Sequence, residues 1–332
     1  MSVSIIIKTL NEAERLAATL ESALAAVGAD GEVIVADSGS TDGTVEIAQR
    51  YPVTLVQIAA DQQPSCGLGP QLGYQYSKGD YLCLMDGDML LDPAFLAKAV
   101  AYLDANPKVG GVGGRVVEMN LENLEFARRM SRGGAEYNAG PVDRLNGGGL
   151  YRRQAIADVG YLSDRNLHGY EEFDLGVRLR QAGWGLYRLD TPFVQHFGYQ
   201  MNAYALLLRR WRSKYLRGTG EVIRAAMGKA HLGPLLRDIR ELRLWSAVYV
   251  GLLILLLVLI FVPNKLLALG ICIAAVAGVI GVMSLKHRSL SIGLYSVTAW
   301  VFMAAALPLG YFKSRRDPAA WIDSKVLHKA DA

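Results

Sequence analysis

The sequence predicts an α/β fold joined to a helical segment in lipid, and three observations carry this reading. Short β-branched runs at 2–7, 32–36 and 53–58 alternate with helical stretches, the pattern of βαβ units and a mainly parallel sheet. The apolar run Tyr81–Met85 leads directly into Asp86, Gly87 and Asp88, an acidic pair at a strand end. Near Trp245 the pattern changes to three apolar runs, 245–262, 266–285 and 290–311, each long enough to cross a hydrocarbon core of about 30 Å.

Taken in order, the first run, Ser2–Ile7, has no basic flank and is too short for a signal peptide, so it reads as a buried strand. A helix is expected from Glu12 to Val27, a strand over Glu32–Ala36, a Gly-rich turn, and a helix from Thr44 to Arg50. Val53–Ile58 and Tyr81–Met85 are the next strands, and a helix over Pro93–Asn106 precedes Gly110. Ligands of such sheets gather at the carboxyl ends of the strands.

A length of 332 residues allows two domains, or one domain with an appendage. With 20% charged residues and a positive mean hydropathy, the chain fits neither disorder nor a highly charged nucleic-acid binder, and no nucleic-acid partner is expected. Cys66, Cys83 and Cys272 are widely spaced and form neither a disulfide framework nor a zinc site, so a reduced, cytosol-facing location is the default. The net charge of +4 hides a split: residues 1–204 hold 17 basic and 25 acidic side chains, residues 205–332 hold 18 and 6. Within 205–243 there are 10 basic and 3 acidic residues, whereas 244–312 holds only Lys265, Lys286 and Arg288. A polybasic stretch entering apolar sequence points to anionic membrane lipid, worth about 1 kcal/mol per nearby Lys or Arg. The expected organisation is a catalytic domain over 1–204, basic amphipathic interface helices over 205–243, transmembrane helices over 244–312 and a polar tail over 313–332. Three full crossings would place the basic tail opposite a cytosolic catalytic half, against the positive-inside tendency. A third segment that dips in and returns at Pro308 removes the conflict, and both topologies stay open here.

Two carboxylates one residue apart, Asp86 and Asp88, suit a hard cation such as Mg²⁺ or Mn²⁺ that shares phosphate oxygens; an ordinary turn has the same composition. Asp37 through Thr44 follows the second strand: Gly39 permits close backbone approach, Asp37 can accept from a base or ribose, and Thr41 or Asp42 can cap the helix. Absence of a Walker lysine motif and of G-x-G-x-x-G in the first βα unit counts against a P-loop enzyme or a dinucleotide oxidoreductase. Glu171, Glu172 and Asp174 crowd one helix start, where the dipole favours them and mutual repulsion raises a pKa toward that of a general base. His196 closes the run Phe193–Gly198 and can complete a metal site. The glycine cluster over 147–149 precedes the acidic helix, either as a flexible loop or as backbone close to a ligand, and Tyr161–Asn166 is a candidate neighbouring wall.

These motifs, Ser4–Glu12, Asp37–Thr44, Lys78–Tyr81 leading to Asp86-Gly87-Asp88, and Glu171–Trp184, resemble in order the motif series of the inverting family 2 glycosyltransferases. The resemblance covers about residues 2–200 and implies a GT-A fold, a Rossmann-like mixed sheet that binds a nucleotide-diphosphate sugar donor. It implies that Thr9, Asn11 and Glu12 lie at the nucleotide, that Asp37 contacts the base, and that Gly39 and Gly148 approach the donor. Asp86 would face ribose and metal, Asp88 the metal, and Glu172 would be the base, with Glu171 and Asp174 as alternatives. Gln71-Leu72-Gly73 replaces the usual Arg-Asn-Gly and removes a cation; Arg210 can restore one, with Trp211 stacking on an acceptor sugar, where processive relatives carry Gln-x-x-Arg-Trp. Leu207 at the Gln position favours transfer of single sugars, and the alternative role of Arg210 and Trp211 is to anchor an interfacial helix.

The resemblance further implies a lipid-linked, polyprenyl or nascent glycan acceptor in exopolysaccharide or envelope synthesis, at the inner membrane of a bacterium with the catalytic domain cytoplasmic. A polyprenyl-phosphate glycosyltransferase of the dolichyl-phosphate-mannose-synthase type is the nearest alternative. A sugar-phosphate nucleotidyltransferase would carry a basic Gly-rich loop where this chain has Lys8–Glu12, and a non-catalytic scaffold would not need Asp86, Asp88 and Glu172 together.

Overall fold

The computed structural model describes residues 2–119, 138–197 and 201–330; Gly198 of the Phe193–Gly198 run lies outside them. The chain forms two units, residues 1–201 together with 314–332, and residues 202–313.

The first unit is built on a mixed sheet with ten strands among the described residues: β1 (Val3–Thr9), β2 (Glu32–Asp37), β3 (Thr54–Ile58), β4 (Tyr81–Asp86), β5 (Met89–Leu91), β6 (Val109–Glu118), β7 (Gly140–Pro141), β8 (Gly149–Arg152), β9 (Gly185–His196) and β10 (Ser324–His328). Its order is β10-β3-β2-β1-β4-β8-β6-β9-β5, with β7 beside β9. Strand β1 is central and covered on both faces, which is why it reads as the continuous apolar run Ile5-Ile6-Ile7 rather than an alternation. Pairing of β1 with β2 and β4 is parallel, in a register that sets Thr9 opposite Asp37 and Lys8 opposite Asp86. Three motifs far apart in sequence therefore meet at adjacent strand ends.

Helices α1 (Leu16–Ala26), α2 (Thr44–Ala48) and α4 (Phe95–Ala105) lie close to where the sequence places them, and α3 (Leu68–Tyr76), between β3 and β4, is a helix the sequence reading did not place. One face of the sheet packs Ile5, Ile7, Val33, Val35 and Cys83 against Leu16, Leu20 and Phe95. On the other face Ile6 and Leu82 join Leu175 and Leu179 of α6 (Glu171–Gln181), which follows the short α5 (Arg153–Asp158). The expected mainly parallel sheet is mixed because β8, arising from the glycine cluster, inserts antiparallel between β4 and β6. Its four residues carry too little periodicity to announce a strand.

Residues 314–330 do not trail away from this unit. Strand β10 pairs antiparallel with β3, Ser324 opposite Ile58 and Val326 opposite Val56. Ile322 is fully buried with Ile34, Val56 and Leu72, and Gln75 exchanges two hydrogen bonds with its backbone, at 2.9 and 3.0 Å.

The second unit contains α7 (Ala203–Arg212), a 3-10 turn (Tyr215–Arg217), α8 (Gly218–Ala226), α9 (Leu232–Asp238) and three long helices, α10 (Leu242–Phe261), α11 (Lys265–His287) and α12 (Leu290–Tyr311). All three long helices have the length and apolar composition to cross a membrane. The α10–α11 turn is closed by its polar residues: Asn264 accepts from the Leu266 and Leu267 amides, and the Lys265 ammonium donates to the carbonyls of Leu259, Ile260 and Val262.

Because Ile322 fills a closed core position, Ile322→Ala is expected to cost about 2–5 kcal/mol. The exposed Lys325→Ala should stay within about 0.5 kcal/mol. Denaturant unfolding of the purified full chain measures both, and equal effects would mean that residues 314–330 do not belong to this core.

Candidate active site

At the carboxyl end of β1, Lys8 lies among carboxylates supplied by two other elements. Its ammonium is 3.0 Å from Asp86 Oδ1 at the end of β4 and 3.6 Å from Glu171 Oε1 at the start of α6. Burial works to lower the Lys8 pKa, but Asp86, Glu171 and Glu172 outweigh it and hold the ammonium well above its usual value. Beside this cluster a pocket is lined by Lys8, Asp86, Gly148, Tyr151, Leu162, Ser163, Glu171 and Glu172, with Pro70, Leu84, Met85 and Leu175 as apolar wall.

Glu172 accepts a hydrogen bond from the Gly148 amide, 3.0 Å from Oε1. Burial, then repulsion from Glu171, pushes its carboxyl up to about 7, against the attraction of Lys8. A carboxylate that titrates near neutrality is suited to accept a proton at working pH. Gly148 has φ +96°, and a Cβ there would stand 2.1 Å from the Leu84 carbonyl oxygen. Only glycine satisfies both the dihedral and the approach. Tyr170, which precedes α6, also lies in the left-handed region, with φ 68°, a conformation that costs a non-glycine residue of order 1–3 kcal/mol and that clusters at functional sites.

Asp174 sits apart from the other two acids of α6. It is fully buried and paired with Arg178 at 2.7 Å, while Arg178 also donates to the carbonyls of Tyr161 and Leu162. Its geometry is that of a brace between α6 and the 161–162 segment. Asp37 is likewise fully buried: Oδ1 accepts from Thr9 at 3.1 Å and from Ser40, and Oδ2 from the Gly39 and Ser40 amides and Gln57. Asn11, with φ 59°, and Glu12 clasp the same loop, since Asn11 Oδ1 accepts from the Thr41 amide and the Glu12 amide donates to Thr44 Oγ1. Thr9, Asn11, Glu12, Asp37 and Gly39 therefore form one connected loop pair at the ends of β1 and β2. Arg210 and Trp211 belong to the second unit, where Arg210 lies over the Tyr215 ring at 5.3 Å and Trp211 meets Phe302 edge-on at 5.4 Å.

On the β4–β5 turn, Gly87 lets the two aspartates approach the end of β1; a Cβ there would meet Thr9 and Glu12 at 3.0 Å. Asp88 Oδ2 is 3.4 Å from His196 Nε2, and His196 Nδ1 is 2.7 Å from Glu118. Burial works to lower the His196 pKa, but hydrogen bonds to Asp88 and Glu118 outweigh it and bring it to about 10, so the ring is an imidazolium bridging two carboxylates. To ligate a metal it would first have to lose a proton. Among the described residues no group of three His, Cys, Asp or Glu side chains is arranged to hold an ion by itself. The oxygen donors of Asp86 and Asp88 fit Mg²⁺ or Mn²⁺ when phosphate oxygens complete the shell, and do not form a closed protein cage.

Several residues here escape sequence reasoning. Lys8 enters only through the strand register, and Glu118 through its hydrogen bond with His196. Within the 161–166 wall that the sequence does single out, Ser163 Oγ lines the pocket, is buried, and has no hydrogen-bond partner among the described residues. The wall that carries it is held from behind by residues after 313: Arg315 pairs with Asp164, and the Arg316 amide donates to Asn166 Oδ1 at 2.8 Å. No local motif announces these partners.

Residues 4–160 match the family model described as glycosyl transferase family 2. The chain is similar to the Bacillus subtilis protein named glycosyltransferase EpsE, at 29% identity over 203 residues, 58% of this chain and 72% of that one. It is also similar to poly-β-1,6-N-acetyl-D-glucosamine synthase of Staphylococcus aureus, at 25% identity over 170 residues, 48% of this chain and 41% of that one. In fold it is similar to the mannosyltransferase PcManGT from Pyrobaculum calidifontis, solved with GDP-Man and Mn²⁺: TM-score 0.58 and 20% identity, over 94% of this chain and 87% of that one.

The three acids of α6 should separate by experiment. Asp174→Ala leaves Arg178 buried without its carboxylate and is expected to cost about 3–5 kcal/mol in unfolding measurements. For Glu172 the folded pKa is raised, so the protonated form stabilises the fold below the unfolded pKa, and this contribution is lost as pH rises through about 7. Glu172→Gln should therefore flatten the stability profile between about pH 4.5 and 7; an unchanged slope would contradict this environment.

Proposed function

We propose, from the premise that residues 4–160 are a family 2 glycosyltransferase domain, that the chain moves a sugar from a nucleotide-diphosphate donor to a lipid-linked glycan acceptor with inversion at the anomeric carbon. Glu172 carries this reading: it is a half-buried carboxylate raised to about 7, in one pocket with Asp86 and Lys8. Its ionised form takes the proton from an acceptor hydroxyl, the freed oxygen attacks the anomeric carbon, and the bond to the diphosphate breaks with its electron pair on the leaving phosphate oxygen. Glu171 and Lys8 set the charge around this base, Glu171 raising its pKa and Lys8 lowering it. Gly148 donates to the carboxylate and fixes its orientation.

A divalent cation held by Asp86 and Asp88 would offset the charge developing on the diphosphate. The loop pair around Thr9, Asn11, Glu12, Asp37 and Gly39 is the proposed nucleotide platform, since it lies at the carboxyl ends of β1 and β2. Ser163 is the proposed partner of a sugar hydroxyl.

The three long apolar helices and the 10 basic residues of 205–243 support anchoring in an anionic membrane. A catalytic unit tethered there meets a lipid-linked acceptor at high effective concentration. The cytoplasmic face of a bacterial inner membrane and a part in polysaccharide assembly follow as the working location and process, the latter supported by the relative named as a polysaccharide synthase. A polyprenyl phosphate acceptor is already anionic and would need no base; the raised Glu172 argues for a hydroxyl.

Transfer assayed with a panel of nucleotide sugars and lipid extract tests the reading. Glu172→Gln should lower kcat by about 10²–10⁴ while donor binding survives, and Asp88→Ala should abolish the metal dependence of donor binding. In the wild-type chain kcat/KM should fall below about pH 7 as Glu172 takes up its proton. Full activity of Glu172→Gln would assign the base elsewhere or the acceptor to a phosphate.

A further inference from the structure

Strand β10 constrains the path of the chain through a bilayer. Residues 314–330 are integral to the first unit: Ser324 pairs with Ile58 and Lys325 with Gln57 in the central sheet, and Ile322 is fully buried in its core. A folded sheet cannot be divided between the two sides of a membrane. The chain leaves this unit after Met201 and re-enters it at Ser314, so the intervening residues cross an even number of times. Three helices are long enough, and therefore at most two cross.

Packing inside the second unit indicates which. Helix α12 has the lowest mean hydropathy of the three and is the most buried of them against the rest of the protein. It packs along α11 and, toward its end, along the basic elements as well. Tyr295 meets Tyr204 of α7 at 5.2 Å, and Phe302 meets Trp211 at 5.4 Å. Nearer its end, a Cβ on Gly310 would stand 2.2 Å from the Arg217 carbonyl oxygen, and one on Gly220 of α8 1.9 Å from that of Leu307. The contacts continue to Lys313, 3.8 Å from Glu221. The segment it follows carries six cations between Arg209 and Arg224, too many for a hydrocarbon core.

We propose that α10 and α11 form the transmembrane hairpin and that α12 begins and ends on the near side, packed against α7 and α8. The inference rests on the membrane reading above. It also sorts the charges: Lys265 alone reaches the far side, where its ammonium is engaged by the carbonyls of Leu259 and Ile260 in α10 and of Val262 just after it. The 205–243 cluster, the 286–288 turn and Arg315 and Arg316 remain together on the near side, in accord with the positive-inside tendency.

Single cysteines in the full-length chain, with Cys66, Cys83 and Cys272 replaced by Ala, test this in sealed vesicles with a membrane-impermeant maleimide. The positions are Asp30→Cys in the first unit, Pro263→Cys, Lys286→Cys and Lys329→Cys, all exposed, and all four should label in detergent. The expected pattern is that 30, 286 and 329 label from one side and 263 only from the other. If 263 sides with 30 and 329 while 286 alone is opposite, α11 and α12 are the crossing pair and the assignment is overturned. If 263 and 329 are together opposite 30 and 286, all three helices cross and the parity argument falls. Labelling of all four from one side, with release of the chain at alkaline pH, would instead refute the membrane reading itself.

Discussion

Everything at the candidate site depends on one cation held among carboxylates. Parallel pairing of β1 with β4 puts Lys8 opposite Asp86, and α6 brings Glu171 to the same ammonium. Without a positive centre, Asp86, Glu171 and Glu172 would repel one another across a partly buried space. Lys8 pairs with Asp86 at 3.0 Å, while desolvation and repulsion from Glu171 push the Glu172 carboxyl up to about 7. Environment alone thus sets two acids of the same chemistry apart.

The backbone supports this separation at a local cost. Gly148 and Tyr170 both adopt left-handed dihedrals on the two sides of Glu172, one donating to its carboxylate and the other starting its helix. Asp174 and Arg178 then brace α6 against the carbonyls of Tyr161 and Leu162, next to Ser163. Residues 315 and 316 grip the same wall through Asp164 and Asn166. The segment that follows the apolar helices is therefore a structural part of the pocket.

Much of this was legible without coordinates, for a physical reason. The strands β1 to β4, the acidic turn at 86–88 and the acidic start of α6 announce themselves through local apolar runs and turn residues. What could not be read depends on pairing between distant residues. Lys8 looks like an interruption of an apolar strand until register places it opposite Asp86. Strand β8 hides in a glycine cluster, and β10 has the composition of a polar extension because an edge strand of five residues exposes much of its surface. Among the acids of α6 only the family resemblance favours Glu172, because composition alone does not show the partners that separate Asp174, paired with Arg178, from Glu172, pushed toward neutrality.

The central claim is that Lys8 and the buried carboxylates tune Glu172 into a base. Infrared titration of the full-length chain, with the Glu172 carboxyl band assigned by difference against Glu172→Gln, measures that tuning directly. The account predicts a midpoint near 7, moved higher in Lys8→Met, where the stabilising cation is gone. A midpoint in the ordinary carboxylate range that does not respond to Lys8→Met would contradict it.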